Sequence, residues 1–464
     1  MIRIICDYNW INEKKYICEI IFSEFLGLEY CFEENRICKN SFILEINNKM
    51  IFLPNILFKT KNTKWLTADS LPKLPLEKIN PSKVFEDYKG EDNLPVIYGG
   101  ISMLEDIKVD NDIITIDVDI FGSCFFMLTR YEEYVIKKRD SHDRFDYKNS
   151  ISYNAGFLNR PIVNEYVELL WCAIKRVAPY LQRKIKKFQV IPTHDIDKPF
   201  GMMYDSKKQI IRHFIGDLIF RKDINCCFKR IKELFDLFFY KNKYLLNKIK
   251  TYEYLFEISR KYNLVDYYFF MNSKSSYLDG NYLVDDNNIL ELIKNIISEG
   301  HFVGLHPSYI SYKNLYQIQK EARSFNEILI KYHLPKIIGA RQHYLRWSNP
   351  ETWQIYESVN IPFDSSLTYA GYVGFRCGTC YEYSVYDLIN RKMLNLKEMP
   401  LIVMDGTLFE YMQLDNENAL NLVINLAEKC RKYEGNFVFL WHNTTLDNVD
   451  ERIFYSAMLE KICR

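Results

Sequence analysis

Residues 191–200 read IPTHDIDKPF, the end of an apolar run that starts at Phe188. His194, Asp195 and Asp197 fall within four positions, and Pro199 closes the run. Carboxylates and an imidazole in such a place are unfavourable to desolvate unless something offsets the loss of water. A metal ion, a catalytic role or plain solvent contact would each do so. The choice among them decides whether this is a strand delivering a site or an ordinary loop.

The sequence that follows makes it a strand. Short apolar runs alternate with helical periodicity: VDYYFFMN (265–272), a helix at 288–300, HFVGLHPS (301–308), a helix at 314–333, IIGARQHY (337–344), a helix at 350–360, IPFDSS (361–366), PLIVMDGT (400–407), a helix at 416–435 and NFVFLWHN (436–443). Alternation of this kind predicts a parallel sheet with crossover helices. About seven such strands predict a distorted (β/α) barrel over 186–464. A basic helical stretch at 201–250 interrupts the rhythm, with twelve Lys or Arg against five Asp or Glu. It reads first as an insertion packing on the barrel. The alternative is a basic amphipathic surface for peripheral contact with a membrane, a lipid-linked sugar or an acidic polysaccharide.

Upstream, the pattern is α+β and predicts a smaller domain over 1–185. SFILEI and KMIFLP flank Asn47-Asn48, a two-residue hairpin turn. NDIITIDVDIFG predicts a strand, CFFMLTRYEEYV one helix, and RPIVNEYVELLWCAIKRVAPYL a long amphipathic helix with Pro161 near its start. The polar break QRKIKK (182–187) marks the boundary.

Composition narrows the function classes. A chain of 464 residues exceeds one ordinary core. Its net charge of +1 implies no nucleic acid or other polyanionic partner for the chain as a whole. Twelve cysteines without framework spacing fit free thiols. The start, MIRIICDYNWINEKKY, lacks a basic region followed by an apolar one, and no apolar run reaches the length of a membrane span. These predict a cytoplasmic protein, and nothing marks an obligate protein partner. Tyr and Phe are abundant (35 and 31), and flat rings suit sugar faces.

In a βα-barrel, functional groups sit at the C-terminal ends of strands. Here those ends carry His194, Asp195 and Asp197; His306; Arg341, His343 and Tyr344; Asp364; Asp405; and His442. Helix capping would explain Asp364. It explains His306, His343 and His442 poorly, because His is no preferred N-cap. The aromatic neighbours Tyr309 and Trp441 are candidates for sugar contact, as is Arg376 in GFRCGTC for an acidic group. The CGTC of 377–380 lacks the strand–helix setting of a redox motif.

The ordered series THDID, GHFVGLHPSY, RQHYLRW, FDSSL and FLWHN resembles the polysaccharide deacetylases, carbohydrate esterase family 4 and its relatives, over about 188–445. The forms GLHPSY, RQHYLRW, GFRCGTC and LWHN resemble a bacterial branch with an additional N-terminal domain, found among surface-polysaccharide genes. The resemblance implies a metal-dependent hydrolase that removes N-acetyl groups from a saccharide. It assigns Asp195 as general base and Asp197 and His306 as metal ligands. It further implies that Arg341 pairs with the base, that the Tyr344 backbone N–H faces the oxyanion, that His442 is the general acid and that Asp364 orients it.

Two departures stand out. Ile196 separates the two aspartates, which are adjacent in the family. The family's second metal histidine, four residues after the first, is Ile310 here. Since a catalytic zinc takes about three protein ligands, His343 is the expected replacement. His194 is a further candidate, although strand alternation points it away from Asp195. The reading adopted is a divalent-metal hydrolase, with zinc the expected metal, acting on a carbon–nitrogen bond of a cell-surface saccharide or its precursor. The alternative is a degenerate saccharide-binding protein of the same fold. Glycoside hydrolysis ranks last, because Asp405 is the one spare acid.

Overall fold

The computed structural model describes all residues except 35–39, 100–105 and 216–223. The chain forms two compact units. The first comprises Met1–Gln189, Leu367–Ile402 and Leu426–Phe437; the second comprises Val190–Ser366, Val403–Asn425 and Val438–Arg464.

The first unit carries a six-stranded mixed sheet in the order Tyr30–Glu34, Ile2–Cys6, Ser41–Ile46, Lys49–Pro54, Ile113–Ile116, Ile107–Asp110. The Ser41–Ile46 strand alternates half-buried and buried side chains, as period-two patterning requires when one face is covered. Asn47 and Asn48 turn the chain with φ of 50° and 66°, which Asn tolerates better than most residues. The helix Ile162–Val177 buries nearly every side chain. Its acids survive burial by pairing, Glu165 with Arg160 and Glu168 with Arg183.

Two sequence expectations change here. CFFMLTRYEEYV is two helices, Ile120–Leu128 and Tyr131–Val135, because Arg130 takes a left-handed φ of 52° between them. Glu132 and Glu133, just after the break, are buried. Segments 367–402 and 426–437, which the pattern read as part of the barrel, join the first unit. The hairpin Tyr383–Asp387 and Lys392–Glu398 is tied there by Tyr16 Oη donating to the Ser384 carbonyl at 2.9 Å and by Arg391 pairing with Glu13 at 2.8 Å. Local periodicity carries no record of partners more than 360 residues away.

The second unit centres on a five-stranded sheet in the order Phe302–Leu305, Tyr267–Phe270, Gln189–Ile196, Asn436–Leu440, Val403–Met404. Tyr267–Phe270 runs parallel to both of its neighbours, and Val403–Met404 parallel to Asn436–Leu440. Single parallel bridges from Leu305 to Ala340 and from Ala340 to Asp364 extend it. The expected barrel of seven strands is corrected: among the described residues the sheet does not close. Its last strand and Phe363–Asp364 have two residues each, and 340 contributes one bridge, too little ladder for closure.

Register sets the site. Ile196, Phe270 and Leu305 lie in one row, so Asp197 and His306 emerge side by side at the C-terminal edge. Leu305 bridges Ala340, which brings Arg341 next to them. Gly304 permits the close approach: a Cβ there would meet the Phe269 ring at 2.6 Å and the Gly339 carbonyl at 2.9 Å.

The basic stretch is helical at Lys207–Ile215 and Ile224–Phe239 and continues into Lys241–Tyr262; its residues 216–223 lie outside the described ones. No helix among the described residues is long and apolar enough to cross a membrane.

Candidate functional site

Three imidazoles converge on one carboxylate at the C-terminal edge of the second unit's sheet. His306 Nε2 lies 3.2 Å and His343 Nε2 3.7 Å from Asp197 Oδ1, and His442 Nε2 lies 4.0 Å from Asp197 Oδ2. Asp197, His306 and His343 each offer an atom within 4.8 Å of the others'.

The other ring nitrogen of each histidine is already committed. His306 Nδ1 is 2.6 Å from the Arg341 carbonyl oxygen. A carbonyl only accepts, so Nδ1 carries the proton. His343 Nδ1 meets Asp279 Oδ1 at 3.0 Å, and His442 Nδ1 meets Asp405 Oδ1 at 2.7 Å. A neutral ring held this way turns a lone pair toward Asp197. A lone pair and a carboxylate oxygen 3.2 Å apart repel unless a proton or a cation lies between them. Asp197 Oδ1 is itself buried, with no donor at hydrogen-bond geometry. Imidazoles anchored through Nδ1 by a carbonyl or carboxylate are the arrangement found around protein-bound metals. The donor set of two imidazole nitrogens and one carboxylate oxygen therefore fits a divalent transition ion.

Charge follows the same geometry. Burial opposes ionisation of Asp197, but His343, His306 and His442 together hold its carboxyl well below the usual range. Burial would lower the His306 imidazole; Asp195 and Asp197 outweigh it and raise it. Burial would likewise lower His442, yet the Asp405 carboxylate, with help from Asp197 and Asp195, pushes it up to about 10.

Asp195 sits beside this cluster. It is 3% exposed, with Oδ2 3.8 Å from His306 Nε2 and Oδ1 3.2 Å from Arg341 Nη1. Arg341 is fixed on all sides, donating to Thr193 Oγ1 at 2.6 Å and to the Ser365 carbonyl and hydroxyl at 2.8 Å. Its guanidinium lies over the Phe269 ring. Tyr344 and Leu345 are consecutive non-glycine residues in the left-handed region, φ 60° and 56°. Such conformations persist where surrounding structure holds them. Tyr344 packs edge-on against His343 and Tyr309, and both tyrosines stay half-buried beside the cluster. Ile310 is 44% exposed.

Four sequence-predicted residues are not in the cluster. His194, on the opposite side of the strand from Asp195, is fully buried, with Nδ1 donating to the Trp441 carbonyl at 2.7 Å and Nε2 3.4 Å from Asp266. It packs inside the unit and lies outside the trio of Asp197, His306 and His343. Asp364 accepts from the Ser366 backbone and hydroxyl instead of orienting His442; burial raises its carboxyl to about 6. Trp441 is wholly buried among Phe409, Phe454 and Tyr455 and offers no face to a sugar. Arg376 belongs to the first unit, where it pairs with Glu133 at 2.5 Å and donates to the Thr368 carbonyl.

Two residues do what the sequence reading assigned elsewhere or not at all. Asp405, set aside as a spare acid, holds His442. Asp279, in the loop after Tyr267–Phe270, holds His343 and also accepts from the Tyr309 backbone at 2.7 Å. In sequence, Asp279 precedes a glycine within SYLDGNY and reads as a turn.

Residues 2–179 match the model of a family of unknown function (DUF7033). No curated protein matches the chain. Among solved structures, the chain is similar to a Mycobacterium smegmatis protein assigned as a polysaccharide deacetylase, at 14% identity and TM-score 0.40, covering 60% of this chain and 84% of that one. A family 4 carbohydrate esterase from Streptomyces lividans, in complex with acetate, matches at 10% identity and TM-score 0.28, covering 45% and 81%. A Bordetella bronchiseptica protein assigned as a polysaccharide deacetylase involved in O-antigen biosynthesis matches at 12% identity and TM-score 0.26, covering 60% and 92%. Scores this low leave the functional reading to the side chains of this chain.

Proposed function

We propose that the protein is a metal-dependent hydrolase of a non-peptide carbon–nitrogen bond, and that its reaction is N-deacetylation of a cell-surface saccharide or its precursor. The observation that carries this is the convergence of three Nδ1-anchored imidazoles on Asp197, with Asp195 and its arginine alongside. Asp197, His306 and His343 would hold the cation. When bound, a divalent ion supplies Lewis acidity toward an acyl carbonyl and toward water.

The chain's own groups cover the proton transfers. Asp195, oriented by Arg341, takes the proton of the attacking water. His442, charged by virtue of Asp405, gives a proton from Nε2 to the departing amine nitrogen. It is 25% exposed on its side chain, so a substrate can reach it. Asp405 stabilises the imidazolium until that transfer and holds the ring in place throughout. Tyr309 and Tyr344 add half-buried aromatic side chains beside the cluster, a residue type that suits a sugar. The ordered strand-end motifs favour a saccharide amide among the amides this chemistry would open.

The test combines metal content and acetate release. Protein stripped with a chelator and reloaded with zinc or cobalt should hold one ion per chain. It should release acetate from N-acetylated oligosaccharides only when loaded. Acetate release untouched by chelation, or neither bound metal nor acetate release on a panel of N-acetylated glycans, would overturn the proposal.

A further inference from the structure

The helix Ile224–Phe239 presents an apolar stripe to solvent. Phe228, Ile231, Phe235, Phe238 and Phe239 are 66%, 55%, 52%, 78% and 70% exposed. At about 100° per residue these five positions fall within an arc of roughly 100°, so they form one face rather than scattered exposures. Single exposed apolar residues are ordinary, but a contiguous row of four phenylalanines and an isoleucine is not. Phe235 and Phe239 stack on each other, 4.6 Å between centroids. Exposed Tyr240 and Leu246 continue the apolar surface past the helix end.

The charges around the stripe name its occupant. Among the described residues of 201–250, the exposed charged side chains are Lys207, Lys208, Lys232, Lys241, Lys243 and Lys250, all cationic. The acids Glu233 and Asp236 are partly buried, and Glu233 is engaged by Lys248 at 3.0 Å. An apolar stripe with Lys232 on the same helix and further exposed lysines on the helices before and after it in sequence matches a bilayer whose headgroups carry negative charge. The rings enter the acyl boundary while the ammonium groups stay at headgroup level. Protein–protein interfaces, by contrast, are depleted of lysine.

We infer that Ile224–Phe239, with the exposed Lys232, Lys241, Lys243 and Lys250, is a peripheral docking face for an anionic lipid bilayer. The absence of any spanning helix among the described residues makes such a contact interfacial. The inference stands apart from the proposed reaction, since it uses none of the residues of the strand-edge cluster.

The test is co-sedimentation of the full chain with vesicles. Phosphatidylcholine vesicles with about one-third phosphatidylglycerol should bind the protein, and pure phosphatidylcholine should bind it at least about tenfold less. Raising the salt should weaken the binding. Phe235→Ser/Phe238→Ser/Phe239→Ser and, separately, Lys232→Glu/Lys241→Glu/Lys243→Glu should each reduce it about tenfold or more. Unchanged circular dichroism and melting would show that both variants fold. Equal binding to both vesicle types, or binding that survives both variants, overturns the inference. So does a concentration-dependent dimer, measured by light scattering, that the phenylalanine variant abolishes without any vesicle binding by the wild type: the stripe would then be a contact between copies of the chain.

Discussion

His442 Nδ1 lies 2.7 Å from Asp405 Oδ1, and the other carboxylate oxygen accepts from the His442 backbone at 2.9 Å and from Thr445 Oγ1 at 2.7 Å. The carboxylate therefore holds the ring by side chain and main chain at once. Burial resists ionisation of Asp405, but His442 and these bonds keep it below the usual carboxylate range. Asp405→Asn keeps the shape and removes the charge. It should lower kcat for acetate release by about ten- to a hundredfold, with a smaller change in KM, because the proton donor loses its stabilising anion. Steady-state kinetics at several pH values check this. An unchanged kcat would remove His442 and Asp405 from the chemistry.

The His343–Asp279 contact leads to a metal-affinity experiment. An anchoring carboxylate raises the basicity of a ligating imidazole and fixes its orientation, and its loss weakens metal binding by about 10- to 100-fold. Asp279→Ala should show a loss of that size in zinc or cobalt affinity by competition with a chromophoric chelator. His194→Gln should leave affinity within about twofold while lowering Tm, since His194 serves packing. If the two variants exchanged behaviours, the assignment of ligands would be wrong.

Much of this site was legible in the sequence because strand ends are local. The row Ile196, Phe270, Leu305 ends three apolar runs that were each visible, and Asp197 and His306 follow them directly. What could not be read was which long-range partner each polar group meets. Asp364 and Asp405 both end short apolar runs, and only the sheet order places Val403–Met404 beside Asn436–Leu440 and so gives His442 to Asp405. Asp279 lies in a loop, where no periodicity fixes its direction. Trp441 looked like a sugar platform from its position next to His442, yet its ring turns into the core. The barrel expectation fails for the same reason: strand count is local, and closure depends on ladders between residues far apart in sequence.

Asp195→Asn separates metal binding from catalysis. Asp195 lies beside the imidazole–carboxylate cluster without belonging to the trio that converges most closely, and Arg341 fixes its position. The variant should bind one metal ion per chain with near wild-type affinity and lose about a hundredfold or more in kcat, the usual scale for a general base. Elemental analysis and acetate release on the same preparation give both numbers. A variant that releases acetate at the wild-type rate would exclude Asp195 as the base.

The buried ion pair of the first unit should show in the acid stability of the chain. Burial alone would raise the Glu133 carboxyl, but Arg376 and Arg130 overcome it and hold its pKa down at about 2 against an ordinary 4.5. A depressed folded-state pKa contributes stability that is fully present above 4.5 and is lost as pH falls toward 2. The shift corresponds to roughly 3 kcal/mol at neutral pH, of which roughly 2 kcal/mol should be gone by about pH 3. Glu132 beside it works the other way, raised by burial to about 7, so wild-type data alone would mix opposite signs. The difference between wild type and Glu133→Gln removes most of the Glu132 contribution, which burial dominates. Urea unfolding of the full chain at about pH 6 and pH 3 should give a gap that narrows by roughly 2 kcal/mol on acidification. A gap that stays constant or widens at acid pH would mean that Glu133 is not held ionised by the two arginines in the folded chain.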